Sequence, residues 1–258
     1  MDDTLLTDDH KISPRNKALL MQAQEMGVYV VLASGRPTPA MTKFAHELEM
    51  ARFGTFMLSY NGAVITDLKN NATIFEQSLT VNDIHELHDF SVAHKVDIIT
   101  YINGEIIATA HSEYVEVEKI ITEMPLNIVS DFKASVKSPA IKCIMLEEPS
   151  YLKEVEAKLK LAMPHKSVST SKAFFLEITE KNIDKAASLA RLAAQLNIQQ
   201  SEIIAVGNAN NDLSMVQYAG LGVWVDNVNP ELRHLADAIV ASNNNDGVAE
   251  VVERYILK

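Results

Sequence analysis

Apolar positions in the first fifty residues recur at helical spacing and then run on without a break. After Ser13-Pro14, Leu19, Ala23 and Met26 follow at intervals of three or four, and Gly27 closes the segment. Ser13 suits an N-cap, and Pro14 suits the first helical position, where a missing N–H costs nothing. A helix is therefore expected from Pro14. Residues 28–33 form a short β-branched run, the pattern of a strand buried on both faces. The polar turn Ser34-Gly35-Arg36-Pro37 separates it from a second helical stretch that ends near Leu48.

The last third repeats this rhythm. Residues 185–196 read as a helix with Leu189, Leu192, Ala193 and Leu196 on one face. Strands are expected at 203–206, 222–225 and 239–241, and helices at 213–219, 230–236 and 247–256. Alternating strand and helix with short links predicts an α/β fold, a parallel sheet covered on both faces. The middle differs. Residues 57–66 and 72–78 read as antiparallel pieces around Asn70-Asn71. From Thr80 the order is helix, two strands (97–101 and 105–110) around Asn103-Gly104, and helix. A strand at 141–146, a helix at 150–163, and strands near Val168 and at 174–178 follow. This is an α+β module, residues 80–180, inserted into a domain made of 1–79 and 181–258.

Composition narrows the class. The chain has 258 residues, a net charge of −11 and one cysteine, Cys143. The acidic balance argues against a general nucleic-acid or anionic-membrane partner, because such surfaces need a Lys/Arg field. A small phosphate ligand needs only a local positive site. A lone cysteine excludes an internal disulfide framework and fits a reducing cytoplasm. No apolar run approaches the roughly 20 residues that span a bilayer.

Ligands of open parallel sheets bind at the carboxyl ends of the strands. Those ends carry Ser34-Gly35-Arg36, the run Gly207-Asn208-Ala209-Asn210-Asn211-Asp212 and, by position, Asp2-Asp3-Thr4. Lys185 stands at a helix start after Asp184. A hydroxyl, an accessible glycine N–H and a helix dipole suit a phosphate, and Lys185 adds a compact positive charge. Asn211 and Asp212 offer hard oxygen donors. Singly these are ordinary turns, caps and solvated residues; their joint order points to a site.

That order resembles the haloacid dehalogenase-like superfamily, in particular its Cof-type phosphatases (subclass IIB), over essentially the whole chain. Asp2-Asp3-Thr4-Leu5-Leu6 is similar to the tail of the Asp-x-Asp-Gly-Thr-Leu-Leu motif. Ala33-Ser34-Gly35-Arg36-Pro37 matches the second motif and Lys185 the third. The run from Gly207 to Asp212 matches Gly-Asp-x-x-Asn-Asp. Ser59-Tyr60-Asn61-Gly62-Ala63 and residues 243–249 also match stretches common in the group. The resemblance implies a Rossmann-like core with an α+β cap that closes over the site and chooses the substrate. It implies hydrolysis of small phosphorylated metabolites, sugar phosphates among them, through an aspartyl phosphate with Mg²⁺. Asp2 would be the general acid/base and touch the metal. Lys185 would be catalytic and, with Ser34, Gly35 and Asn211, would hold the phosphate. Asn208 and Asp212 would complete the metal environment.

Two departures stand out. The motif's nucleophile lies two residues before the acid/base Asp, and only Met1 precedes Asp2. Asp3 occupies a glycine position of the motif. The central strand ahead of the motif is missing too. Losing about four buried aliphatic side chains costs on the order of 6–12 kcal/mol, comparable with a whole domain's stability of about 5–15 kcal/mol. Met1 is therefore read as an internal residue of a longer natural chain. The second departure is Asn208 in place of a metal-binding Asp, which removes a formal charge beside the cation. It motivates the alternative reading, a non-catalytic phosphometabolite-binding protein.

Overall fold

A computed structural model describes residues 1–257, which fall into two compact units. One joins Met1–Phe75 to the segment from Asp184 onward, and the other is Glu76–Ile183. The junctions lie a few residues outside the limits read from the sequence.

In the first unit, α1 (Pro14–Glu25) opens as the sequence predicts, with the Ser13 hydroxyl accepting from the Asn16 N–H at 3.1 Å. The apolar run after it is only partly a strand. β1 is Val31–Ala33, and residues 28–30 pair with nothing in a sheet. Next come α2 (Thr38–Glu47), the short α3 (Met50–Phe53), β2 (Phe56–Ser59), β3 (Val64–Asp67) and β4 (Ala72–Glu76). The single piece read over 57–66 is split by a turn at Tyr60–Gly62, where Tyr60, Asn61 and Gly62 all take positive φ. Asn and Gly tolerate that region far better than other residues do.

The second unit carries α4 (Val81–His94), β5 (Asp97–Ile102), β6 (Glu105–Ala108), α5 (Glu113–Thr122), β7 (Leu126–Ile128) and α6 (Phe132–Ser135). β8 (Lys142–Leu146), α7 (Pro149–Ala162), β9 (Lys166–Lys172) and β10 (Phe175–Glu180) complete it. β7 and α6 have too little periodicity to be read from sequence. The six strands form one sheet in the order β7-β6-β5-β8-β10-β9, antiparallel except for β6 and β7. Leu87, Leu152, Val155 and Leu159 of α4 and α7 pack on one face, against Ile98, Met145, Leu176 and Ile178.

The chain then returns to the first unit with α8 (Lys185–Leu196), β11 (Ile204–Gly207), α9 (Leu213–Tyr218), β12 (Leu221–Val225), β13 (Ala238–Val240) and α10 (Gly247–Tyr255). Residues 230–236, read as a helix, form a 3₁₀ turn over Pro230–Leu235. β1–β2, β11–β12 and β12–β13 are parallel pairs, as the strand–helix alternation demands. Helices cover both faces. Leu20, Met41, Phe44 and Val252 lie on one side of the β1–β2 pair, and Leu192 packs with Phe56 and Leu58 on the other. The strands of this unit form two sheets, β1-β2-β3-β4, in which β3 runs antiparallel to β2, and the parallel β11-β12-β13. β1 ends the first and β11 ends the second.

Candidate active site

The carboxyl ends of β1 and β11 lie at one N-terminal turn, in which the N–H groups of Thr4, Leu5 and Leu6 donate to the Met1 carbonyl. From it the Thr4 hydroxyl donates to Asn208 Oδ1 at 2.8 Å, beyond the end of β11. Asp2 reaches the loop after β1, and the Met1 amino group lies 3.4 Å from the Ala33 carbonyl oxygen. Residues far apart in sequence thus meet because two strands end side by side.

The loop after β1 is fixed by backbone bonds to the turn after β2. The Ser34 N–H donates to the Leu58 carbonyl at 2.9 Å, Asn61 N–H to Ser34 O at 2.8 Å, and Tyr60 N–H to Arg36 O at 3.0 Å. The Ser34 hydroxyl accepts from the Arg36 N–H at 3.1 Å and sits 3.5 Å from Asp2 Oδ2. Gly35 faces Asn61: a Cβ there would stand 3.2 Å from the Asn61 amide. That amide oxygen accepts from Asn211 Nδ2 at 3.2 Å. Asn61 therefore links Gly35 to Asn211, two expected phosphate-binding residues.

Arg36 reaches from the loop after β1 to the N-terminal turn. Its guanidinium grips Asp2, with Nη2 2.6 Å from Oδ1 and Nε 3.0 Å from Oδ2. Burial works to raise the Asp2 carboxyl, but hydrogen bonding and charge from Arg36 prevail and hold it below the ordinary carboxylate range.

Beyond β11, Asp212 folds back over its own turn. Its Oδ2 accepts from the N–H groups of Asn208 and Ala209 at 3.0 and 3.3 Å. Gly207 permits this, since a Cβ there would meet Asp212 Cβ at 2.5 Å. Lys185, the first residue of α8, reaches Asp212 Oδ1 at 2.5 Å, and both side chains are almost fully buried. The Asp184 carboxylate caps α8 by accepting from Ala187 N–H at 2.9 Å. Burial opposes the charge on Asp212, yet the Lys185 charge outweighs it and keeps the carboxyl below its usual range. The Met1 amino group is buried alongside, and burial followed by the Lys185 charge push it below the ordinary amine range.

All the expected residues therefore gather at this end of the unit: Asp2, Ser34, Gly35, Lys185, Asn208, Asn211 and Asp212. Thr4, Arg36 and Asn61 join them without having been assigned a role. The Asn61-Gly62 pair was the signal for Asn61, because that dipeptide marks a positive-φ turn. The Asp212 carboxylate and the Asn208 amide, which Thr4 orients, adjoin on one turn and are oxygens of the kind a hard divalent cation takes. Lys185 and two backbone N–H groups already engage Asp212, and among the described residues no three His, Cys, Asp or Glu side chains are grouped to hold a metal. The Asp2 carboxylate is turned to Arg36, which leaves its backbone carbonyl for that role. Asn208 supplies a neutral oxygen where a carboxylate would bring charge. Among the described residues, no helix is long and apolar enough to cross a membrane.

The chain is also similar to known proteins over nearly its whole length. Residues 1–252 match the model of the haloacid dehalogenase-like hydrolase family. A haloacid dehalogenase-like hydrolase from Bacteroides thetaiotaomicron superposes with a TM-score of 0.94 and 35% identity, over 98% of this chain and 96% of that one. The 5-amino-6-(5-phospho-D-ribitylamino)uracil phosphatase YcsE of Bacillus subtilis is 29% identical over 100% of this chain and 94% of its own length. A subclass IIB sugar phosphatase of the superfamily shares the fold, with a TM-score of 0.81 at 19% identity over 99% of this chain and 96% of its own.

Proposed function

The chain belongs to the haloacid dehalogenase-like hydrolases, and on that premise we propose that it is a Mg²⁺-dependent, cytoplasmic phosphatase of small phosphorylated metabolites, sugar phosphates among them. One observation carries this reading. In a protein of net charge −11, the cations Arg36 and Lys185, each held by a carboxylate, converge with the Ser34-Gly35 turn and the Asn61–Asn211 pair at the ends of two parallel strands. A phosphate monoester suits such a cluster of fixed cations and hydrogen-bond donors. The YcsE substrate is a phosphate ester on a polyhydroxylated carbon chain, which supports the substrate class.

In this reading the Ser34 hydroxyl, the Gly35 N–H, Lys185 Nζ and the Asn211 amide hold the phosphate oxygens. Charge spreads over those oxygens as the phosphoryl group transfers, so fixed donors do most of the work. The group passes to a carboxylate and then to water. Asp2, gripped by Arg36, does not serve as that carboxylate, and Asp3 is exposed with φ at 51°. The reading therefore assigns the nucleophile to no residue of 1–258. Asp2 is the acid/base. Its lowered value makes the resting form a carboxylate, ready to take a proton from the attacking water. Giving a proton to a leaving alkoxide requires Asp2 first to loosen from Arg36 and take up a proton from solvent. Asp212, Asn208 and the Asp2 carbonyl would hold Mg²⁺, which when bound neutralises phosphate charge.

The test is hydrolysis of p-nitrophenyl phosphate with Mg²⁺ by the protein isolated from its native host. Turnover that falls on the order of 100-fold or more with Lys185→Ala supports the phosphatase. Tight phosphate-ester binding without turnover favours the phosphometabolite-binding protein instead, the reading that Asn208 motivates.

A further inference from the structure

The proposed chemistry uses the loops after β1 and β11 and leaves those after β12 and β13 without a role. All four reach the N-terminal turn or the residues next to it. From the loop after β1, Arg36 holds the Asp2 carboxylate, and beyond β11 Asn208 accepts from the Thr4 hydroxyl. From the loop after β12, the Asn227 side-chain amide donates to the Asp3 carbonyl oxygen at 2.7 Å. After β13, Asn243 is buried, and its side-chain amide donates to the Leu6 carbonyl oxygen at 3.1 Å and to Asp8 Oδ1 at 3.0 Å. The Asn243 N–H donates in turn to Asn227 Oδ1 at 3.0 Å. Asn227 is thus held by the backbone of a buried residue and grips the backbone of the turn.

What it grips is strained. Asp3 takes φ at 51°, in the left-handed region that a residue with a Cβ enters at a cost. Such a conformation persists where its surroundings over-determine it. Asp2 precedes Asp3 by one peptide, so a change of φ at residue 3 would swing the Asp2 carboxylate relative to Arg36. We propose that Asn227, oriented by Asn243, is a positioning residue for the acid/base: it clamps the Asp3 carbonyl, locks residue 3 in the left-handed region and so fixes the direction in which Asp2 presents its carboxylate. The inference rests on the reading of Asp2 as the acid/base, but the clamp itself is a matter of geometry that can be read without turnover. Asn227 is exposed, so its replacement leaves the packed core untouched and its effect is local.

The test compares the parent chain with Asn227→Ala, Asp3→Gly and the double variant. The Arg36 Nε–H donates to the Asp2 carboxylate, and the solvent exchange of its NMR signal reports how firmly Asp2 is presented. In Asn227→Ala that exchange is expected to quicken roughly tenfold at an unchanged thermal midpoint. Glycine enters the left-handed region freely. Asp3→Gly alone should therefore change little, and added to Asn227→Ala it should restore most of the parental rate. A bond that merely braced the loop after β12 would show no such rescue. Parental exchange in Asn227→Ala overturns the proposal, and so does a quickening that Asp3→Gly fails to reverse. Should Asn227→Ala unfold, Asn227→Asp decides in its place, since it keeps the acceptor for the Asn243 N–H and removes only the donor to Asp3. In the protein made in its native host, Asn227→Ala should also lower kcat for p-nitrophenyl phosphate with Mg²⁺ about tenfold and leave KM unchanged. Quickened exchange with parental kcat overturns the link to the acid/base. If that protein shows no turnover at all, the phosphatase reading fails, and the exchange rates still decide the clamp.

Discussion

Arg36 and Asp2 form a two-toothed ion pair, Nη2 to Oδ1 at 2.6 Å and Nε to Oδ2 at 3.0 Å, between the loop after β1 and the N-terminal turn. Burial alone would push the Asp2 carboxyl up, and the guanidinium reverses that. Arg36→Ala is therefore expected to raise the Asp2 titration midpoint, followed by carboxyl carbon NMR. An unchanged midpoint would show that the pair does not form in solution. Arg36→Lys restores charge without the planar fork and recovers only part of the shift.

Lys185 and Asp212 are a buried pair whose members have few alternatives. Removing one leaves the other charge uncompensated, so Lys185→Ala should cost about 3–5 kcal/mol in denaturant unfolding. The double variant Lys185→Met with Asp212→Leu should cost clearly less than the sum of its singles. Additive costs would contradict the coupling.

The two units are expected to respond to pH with opposite signs. Asp212 has a folded value below its ordinary 3.8. Its contribution is present above that value and is lost as pH falls through the lower folded value. Glu118 of α5 is raised above 4.5 by burial, with the Tyr101 hydroxyl as its partner. Its contribution is present below 4.5 and is lost as pH rises through the higher folded value. Unfolding midpoints measured across pH should therefore lose acid sensitivity in Asp212→Asn. They should lose part of the decline above pH 4.5 in Glu118→Gln. Slopes that match the parent chain in both variants would remove the assignment.

Gly35 and Asn61 are predicted to act on phosphate binding together. A Cβ at residue 35 would press on the Asn61 amide from 3.2 Å, forcing a shift of a few tenths of an ångström. Gly35→Ala should weaken inorganic phosphate binding several-fold by calorimetry, and adding Asn61→Ala should cause little further loss. If Asn61→Ala alone leaves binding intact, Asn61 is not a ligand. Gly62→Ala is different. With φ at +97° and Ser188 Oγ only 2.7 Å from the added atom, it should destabilise the fold outright.

Asn208→Asp is expected to tighten Mg²⁺ binding about tenfold, because charge-assisted contacts are worth roughly 1.5–3 kcal/mol against about 1 for neutral ones. Titration calorimetry with Mg²⁺ alone reads this directly. Equal affinity of the two forms would place the cation away from residue 208.

Much of this was legible in the sequence because it is local. Ser13-Pro14 caps α1, Asp184 caps α8, and apolar spacing marks the helices, all within a few residues of chain. The turn residues of the candidate site were readable for the same reason, since Ser34-Gly35 and residues 207–212 interrupt apolar runs. The extent of β1 was not. Residues 28–30 carry strand propensity, but they lie outside the three-residue pairing with β2.

By itself the sequence determined most of the elements, the inserted module and the residue types expected at the candidate site, because side-chain period and turn chemistry act over one or two turns of chain. Only the tertiary structure decided the partners. Arg36 with Asp2, Lys185 with Asp212, Thr4 with Asn208 and Asn61 with Asn211 are set by which strand ends lie side by side. No local pattern encodes those pairings, since their energy comes from packing helices onto a sheet whose strands are distant in sequence.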